Sequence, residues 1–222
     1  MLRLGSVAKR EGVTPGKLIR WSGGVLVLAG IFQAVGTALH PDDTAATLYL
    51  SSAHWAPAHV ALALSFLLAI FGLIGLYVRQ REEVGLLGLS GFILAVAGCA
   101  LLVGITLAEA FMLPVIAANQ PPKPLAEWLD PAGPLAGAVA VSLLSLLCYN
   151  SGFVILGMAT EHTGILPRRA GFLLAVATVL SNGEFFGPIG FAIYVGGGIL
   201  FGVLLAWLGV GLRKISGGGS DR

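Results

Sequence analysis

The composition of the chain is that of a protein dissolved in lipid. Of its 222 residues, 56% are hydrophobic and only 11% are charged, whereas soluble domains carry about 25% charged residues. The formal net charge is only +2. Nucleic-acid-binding proteins carry a larger excess of basic residues, so no nucleic-acid partner is expected. We therefore predict an all-α membrane protein with the lipid bilayer as its solvent.

Six apolar stretches have about the length that a membrane-spanning helix needs, which is about 20 residues. These stretches are residues 19–39, 55–78, 86–115, 134–158, 168–184 and 187–212. The fifth is the shortest and ends in the polar SNGE, residues 181–184. The sequence predicts a single six-span domain, 19–212, between an N-terminal tail, 1–18, and a C-terminal tail, 213–222.

The distribution of positive charge predicts the orientation of these spans. Of the 13 Lys and Arg residues, all except Lys123 fall on one side of a six-span chain. Positive residues favour the cytoplasmic side, so we expect both termini in the cytoplasm and the protein in a bacterial inner (plasma) membrane. Two outer loops, about 41–53 and 117–133, are then expected on the opposite side.

Similar segments at the starts of the odd-numbered spans indicate an internal repeat. Residues 22–30 read SGGVLVLAG, residues 90–98 read SGFILAVAG, and residues 170–178 read AGFLLAVAT. The repeat unit would be a helical hairpin, present three times in tandem and in parallel orientation. Because the matching segments are short and apolar, chance similarity is the alternative.

Titratable residues cluster at the outer ends of the predicted spans. His40 ends the first span, His59 lies near the start of the second, and Glu109 and Glu184 lie near the ends of the third and fifth. Ionisable residues within spans are costly and often functional. We predict that His40, His59 and Glu109 meet in one polar layer near the outer face, with Glu184 close by, and bind a small ligand or a proton. The alternative is that the residues around His40 and His59 form only the solvated end of a helical hairpin.

A metal or haem cofactor is a second possibility for the same region, although the cofactor stays unknown. A divalent metal could draw on His40, His54, His59 and Asp43. However, His54 and His59 are five residues apart, and two metal ligands on one helix are usually three or four apart. A haem would need two axial histidines at matching depth within long spans, and the sequence offers no such pair.

Three polar residues are predicted within the bilayer, namely Gln33, Tyr149 and Asn150. One hydrogen bond between helices would satisfy each of them. The alternative is that they line a path for a polar substrate.

No complete catalytic constellation is present in the sequence. GLSG, residues 88–91, is similar to an intramembrane serine-protease motif, but Ser90 would sit at the cytoplasmic start of a span. The histidine on that side, His162, is predicted in a loop, which does not provide a Ser–His dyad in a shielded cavity. An enzymatic function is therefore not expected.

Several motifs resemble those of a loose group of uncharacterised bacterial six-helix integral membrane proteins. The main one is a T/S-G-x-L-P-R-x-x-G turn within TGILPRRAGFLLAV, residues 163–176. HPDDTAATLYLSSAHWAPAH, residues 40–59, and AWLGVGL, residues 206–212, are also similar to that group. The resemblance implies the six-helix fold and supplies no activity.

Two classes of function follow from the sequence. The first is a non-enzymatic accessory subunit or interaction scaffold, with other membrane subunits or a second copy of the chain as partners. The alternative is a protein that binds or transports a small ligand, proton, metal or haem through the outer polar layer. The first class is favoured by the sequence, because no charged residue is predicted at mid-membrane, where transport sites usually lie.

Overall fold

The computed structural model describes residues 12–42, 52–119, 132–133, 135–167, 169–183 and 189–217. Within these ranges the chain is helical and contains no strand, which confirms the all-α part of the predicted fold class. The helices are α1 (Pro15–Leu39), α2 (Trp55–Ala118), α3 (Ala136–Thr163), α4 (Ala170–Leu180) and α5 (Gly190–Gly217).

The long helix α2 is a hairpin of two arms. Its 64 residues would extend about 96 Å as a straight helix. Gly85 interrupts the helical backbone with φ 57° and ψ −154°, a conformation that a residue with a side chain rarely adopts. The indole Nε1 of Trp55 donates a hydrogen bond of 2.7 Å to the carbonyl oxygen of Glu109. The first arm (55–84) and the second arm (86–118) therefore run antiparallel.

Among the described residues, four helices, α1, α2, α3 and α5, are long and apolar enough to cross a membrane. This finding supports membrane-protein character. The predicted count of six spans is not supported, for two reasons. The second and third predicted spans are the two arms of one helix, α2, and α4 has 11 residues, or about 16 Å, against a hydrocarbon core of about 30 Å.

The helix ends differ from the predicted span ends where local interactions extend the helix. α1 begins at Pro15 rather than at residue 19, because the Thr14 side chain accepts a hydrogen bond from the Lys17 backbone N–H and proline is favoured at a first helical position. α5 continues to Gly217, past the predicted end at 212. The greater part of each predicted outer loop lies outside the described residues.

Neighbouring helices approach closely at glycines. In the seam between α1 and α5, a Cβ atom on Gly23 would stand 2.6 Å from the carbonyl oxygen of Gly209, and one on Gly202 would stand 2.5 Å from that of Gly30. Small residues allow this backbone approach between helices in lipid. The other packed pairs are α1 with the first arm of α2, the second arm with α3, α3 with α4, and α4 with α5.

Three of these pairs correspond to the three predicted hairpins. α1 packs on the first arm of α2, the second arm packs on α3, and α4 packs on α5. The helices that pack together are thus the ones that the predicted repeat places in one hairpin. A symmetry relation between the three hairpins stays a prediction.

The two ends of the bundle differ in their polar residues. At one end, Arg213 contacts the Gly23 position and Pro167 contacts the Gly211 position. We call this the basic end, and all described Lys and Arg residues lie there: Lys17, Arg20, Arg79, Arg81, Arg169, Arg213 and Lys214. The opposite end holds His40, Trp55 and Glu109, and we call it the histidine end.

Candidate functional site

Three predicted site residues meet at the histidine end. His40 follows the last turn of α1, His59 lies one turn after the start of α2, and Glu109 is on the second arm. The ring centroids of His40 and His59 are 4.9 Å apart, and Nε2 of His59 is 3.7 Å from Oε2 of Glu109. The fourth predicted member, Glu184, lies outside the described residues.

The hydrogen bond of His59 defines which nitrogen faces Glu109. Its Nδ1 is 2.8 Å from the Trp55 carbonyl oxygen, and because a carbonyl only accepts, Nδ1 carries a proton. In a neutral ring Nε2 then presents a lone pair, and an ionised carboxylate presents only lone pairs. The His59 Nε2 and the Glu109 Oε2 are then two acceptors 3.7 Å apart. They become complementary when a proton, or a donor group of a ligand, lies between them.

The pair connects the interior of the protein with its surface. The His59 side chain is 4% exposed, while that of Glu109 is 43% exposed. Burying a polar nitrogen costs free energy unless a polar group faces it, and Glu109 is the polar group that faces the His59 Nε2. His59 is therefore sensitive to what occupies the position next to Glu109.

Two aromatic rings, one from α2 and one from α5, contact the histidines. The Trp55 and His59 ring centroids are 4.0 Å apart, and those of His40 and Tyr194 are 5.2 Å apart. Sequence reasoning missed both aromatic residues. A signal existed for Trp55, which lies four residues before His59 and therefore on the same helix face, but none existed for Tyr194.

A cavity of about 250 Å³ opens beside the cluster, between the second arm of α2 and α3. Its polar lining comes from His40, Trp55, His59, Glu109 and Ser142. Its apolar lining is supplied by Ile105, Ala108, Met112, Leu113, Ile116, Leu135, Ala138 and Val139. Pockets for drug-sized ligands measure about 300–1,000 Å³, so this cavity suits a smaller molecule with an apolar body and a polar end.

Of the four residues proposed for a metal, the structure brings together two, His40 and His59. His54 is exposed at the start of α2, and Asp43 lies outside the described ranges. Within those ranges, no group of three or more His, Cys, Asp or Glu side chains is placed to hold a metal ion.

The positions of His40 and His59 do not fit a haem that has these two residues as its axial ligands. The His40 and His59 rings contact each other directly, at 4.9 Å between centroids and 45° between planes. A porphyrin with these two residues as its axial ligands would have to lie between the rings.

The polar residues within the bundle make hydrogen bonds between chain segments. The Ser65 hydroxyl on α2 donates to the Ala29 carbonyl at 2.9 Å and to Oε1 of Gln33 at 3.1 Å. The amides of Asn150 and Asn182 donate to each other, at 3.1 and 2.6 Å.

Tyr149 and Gln80 are the other buried polar residues of interest. Tyr149 is 5% exposed and its ring contacts Phe66, Phe153 and Phe201. Gln80, which the sequence reasoning missed, donates to Thr160 at 2.8 Å, and its Oε1 has no hydrogen-bond partner in the described structure.

The comparisons with known proteins add no relative. No protein-family model, no curated protein and no solved structure matches the chain. The resemblance to bacterial six-helix membrane proteins stays a prediction, and the functional assignment depends on the geometry of the histidine end.

Proposed function

We propose that the protein is a non-enzymatic integral membrane protein that binds a small amine-bearing ligand at the histidine end. The observation that carries this proposal is the facing pair of His59 Nε2 and Glu109 Oε2, 3.7 Å apart, at the wall of the 250 Å³ cavity. The function that the sequence favoured, an accessory subunit or interaction scaffold with other membrane subunits or a second copy as partners, is compatible with such binding.

The chemistry of the cavity wall favours a protonated amine over other small ligands. An ammonium group donates several hydrogen bonds and carries the charge that complements Glu109. The indole of Trp55, also in the cavity wall, is the aromatic surface that cations favour most. An anionic ligand would be repelled by Glu109, and a wholly apolar one would leave the His59 Nε2 without a donor.

The position of the site leads to a proposal about the membrane. We propose six crossings, with both termini cytoplasmic and the histidine end facing outwards from a bacterial plasma membrane. The two arms of α2 would extend about 45 and 50 Å, enough for each to cross separately. The segregation of the described Lys and Arg residues at the basic end supports this orientation.

The fifth crossing would include more than α4. The chain after α4 reaches Gly183, whose Cβ position overlaps the backbone of Tyr194, and Tyr194 contacts His40. Residues 170–183 thus extend from the basic end to the histidine end. This supports a crossing that combines α4 with the residues that follow it.

A thermal-shift experiment on the purified protein tests the binding proposal. The probes are n-butylammonium, n-butanol and n-butyrate, which share an apolar body and differ in the charge of the polar end. At about ten times its dissociation constant, a ligand stabilises by about 1.4 kcal/mol, or roughly 3–6 °C for a chain of this size. We expect this shift for n-butylammonium alone.

Two matched variants make the experiment specific. Glu109→Gln removes the charge at the cavity and should abolish the n-butylammonium shift. Glu82→Gln removes a carboxylate whose side chain is 78% exposed at the basic end, and it should keep the full shift. Equal shifts for the three probes, or an unchanged shift in Glu109→Gln, would contradict the proposal.

A further inference from the structure

A second groove lies at the basic end, on the outer side of α1 and α5. It has a volume of about 670 Å³, and its lining includes Arg20, Trp21, Gly24, Leu28 and Arg213. It contains none of the residues of the histidine end, so it is a separate feature of the molecule.

Two adjacent glycines on α1 create this groove. Gly23 packs against α5, so that a Cβ atom there would stand 2.9 Å from Cγ of Arg213. Gly24 points away from this seam, and nothing lies within 4 Å of the position that its Cβ would occupy. The first glycine therefore brings Arg213 beside α1, and the second leaves an apolar trough open on the surface.

The charge at one end of the trough selects the ligand. Arg20 and Arg213 are both exposed, and no ion pair between described residues involves either of them. Lys17 lies one turn before Arg20 and also lines the groove. Guanidinium groups favour phosphate, which they bind in a bidentate manner. A ligand that fills the groove therefore needs an anionic phosphate at one end and an apolar chain along the rest.

The depth of the groove matches a lipid headgroup region. Trp21 borders it and is 75% exposed, and tryptophan is enriched at the membrane–water interface. From Trp21 the groove continues along α1 past Gly24 to Leu28, about 10 Å further along the helix and in the direction of the membrane interior.

We propose that this groove binds one anionic phospholipid. Its phosphate would lie between Arg20 and Arg213, and one acyl chain would lie in the trough over Gly24. A zwitterionic phospholipid carries an ammonium group that the two arginines repel, so the groove discriminates by headgroup charge.

Native mass spectrometry of the detergent-purified full-length protein tests this proposal. The protein is incubated with equal amounts of phosphatidylglycerol and phosphatidylcholine that have the same acyl chains. A basic residue that lies beside the headgroup of an anionic lipid contributes about fivefold in affinity, so the wild type should retain phosphatidylglycerol at least about fivefold over phosphatidylcholine. Arg20→Gln/Arg213→Gln should bring this ratio close to one.

Two further variants separate the groove from general charge. Lys214→Gln removes a positive charge from the residue next to Arg213 without altering the groove lining, and it should keep the wild-type ratio. Gly24→Leu fills the trough while keeping both arginines, and it should reduce the amount of retained phosphatidylglycerol severalfold. This second variant keeps the proposal testable if the double arginine variant does not fold.

Three results would overturn the proposal. The first is an equal loss of preference in Lys214→Gln and in Arg20→Gln/Arg213→Gln. The second is unchanged phosphatidylglycerol retention in Gly24→Leu. The third is displacement of the lipid by excess inorganic phosphate but not by chloride at the same ionic strength, which would indicate a site for free phosphate.

Discussion

Gly30→Ala should destabilise the protein because the added methyl group enters the seam between α1 and α5. A Cβ at residue 30 would overlap the Gly202 carbonyl oxygen and stand 2.8 Å from the Ala206 backbone nitrogen. Neither atom belongs to a flexible side chain, so the two helices must separate. A separation of 0.5–1 Å forfeits roughly a quarter to a half of the dispersion energy of each contact, and overpacking typically costs about 1–3 kcal/mol.

Gly196→Ala is the matched control for this prediction. It makes the same chemical change on α5, where nothing lies within 4 Å of the new Cβ. Both variants gain the same helix propensity, about 0.5–1 kcal/mol relative to glycine, so the difference between them isolates the seam. With about 2–4 °C for each kcal/mol in a protein of this size, Gly30→Ala should unfold about 2–12 °C below Gly196→Ala.

Thermal unfolding in one detergent, followed by circular dichroism, measures this difference. We expect a lowered unfolding midpoint for Gly30→Ala and a slightly raised one for Gly196→Ala. Equal midpoints for the two variants, or a more stable Gly30→Ala, would refute the close approach of α1 and α5.

Two other predictions concern hydrogen bonds. Trp55→Phe removes the indole donor to the Glu109 carbonyl, so it should lower the stability by about 0.5–1.5 kcal/mol in the same unfolding assay and weaken the n-butylammonium shift. The control Trp207→Phe, at a 41% exposed residue, should change neither. Equal effects of the two variants would contradict the assigned role of Trp55. Asn150→Leu and Asn182→Leu each leave a partner amide partly unsatisfied, at about 1–3 kcal/mol, so the double variant should lose less stability than the sum of the two. Strict additivity in this double-mutant cycle would show that the two amides do not interact.

The meeting of His40, His59 and Glu109 was accessible from the sequence because it depends on antiparallel connectivity. Spans that alternate in direction place the end of one beside the start of the next, so titratable residues at those ends share a layer. The turn at Gly85 completes this arrangement by folding α2 back until Trp55 and Glu109 are in contact.

Other features depend on side-chain packing that hydropathy does not report. Tyr194 lies beside His40 because α5 packs closely on α1, where the Cβ position of Gly198 meets the Thr37 side chain. The apolar run at 168–184 overestimates the helix in that region, because helical hydrogen bonding ends near Ser181. There the Asn182 side chain donates to the Thr178 carbonyl, a local bond of the kind that competes with helix continuation.

The histidine resonances of the protein test the central claim most directly. The chain has four histidines, and if all are ¹⁵N-labelled, His54 and His162, both exposed, serve as internal controls. Signals are assigned by replacing each histidine with glutamine. On titration with n-butylammonium, we expect saturable shifts of the His40 and His59 ring nitrogens, with His54 and His162 unchanged. Unshifted His40 and His59 signals, or equal shifts of all four residues, would contradict the proposed site at the histidine end.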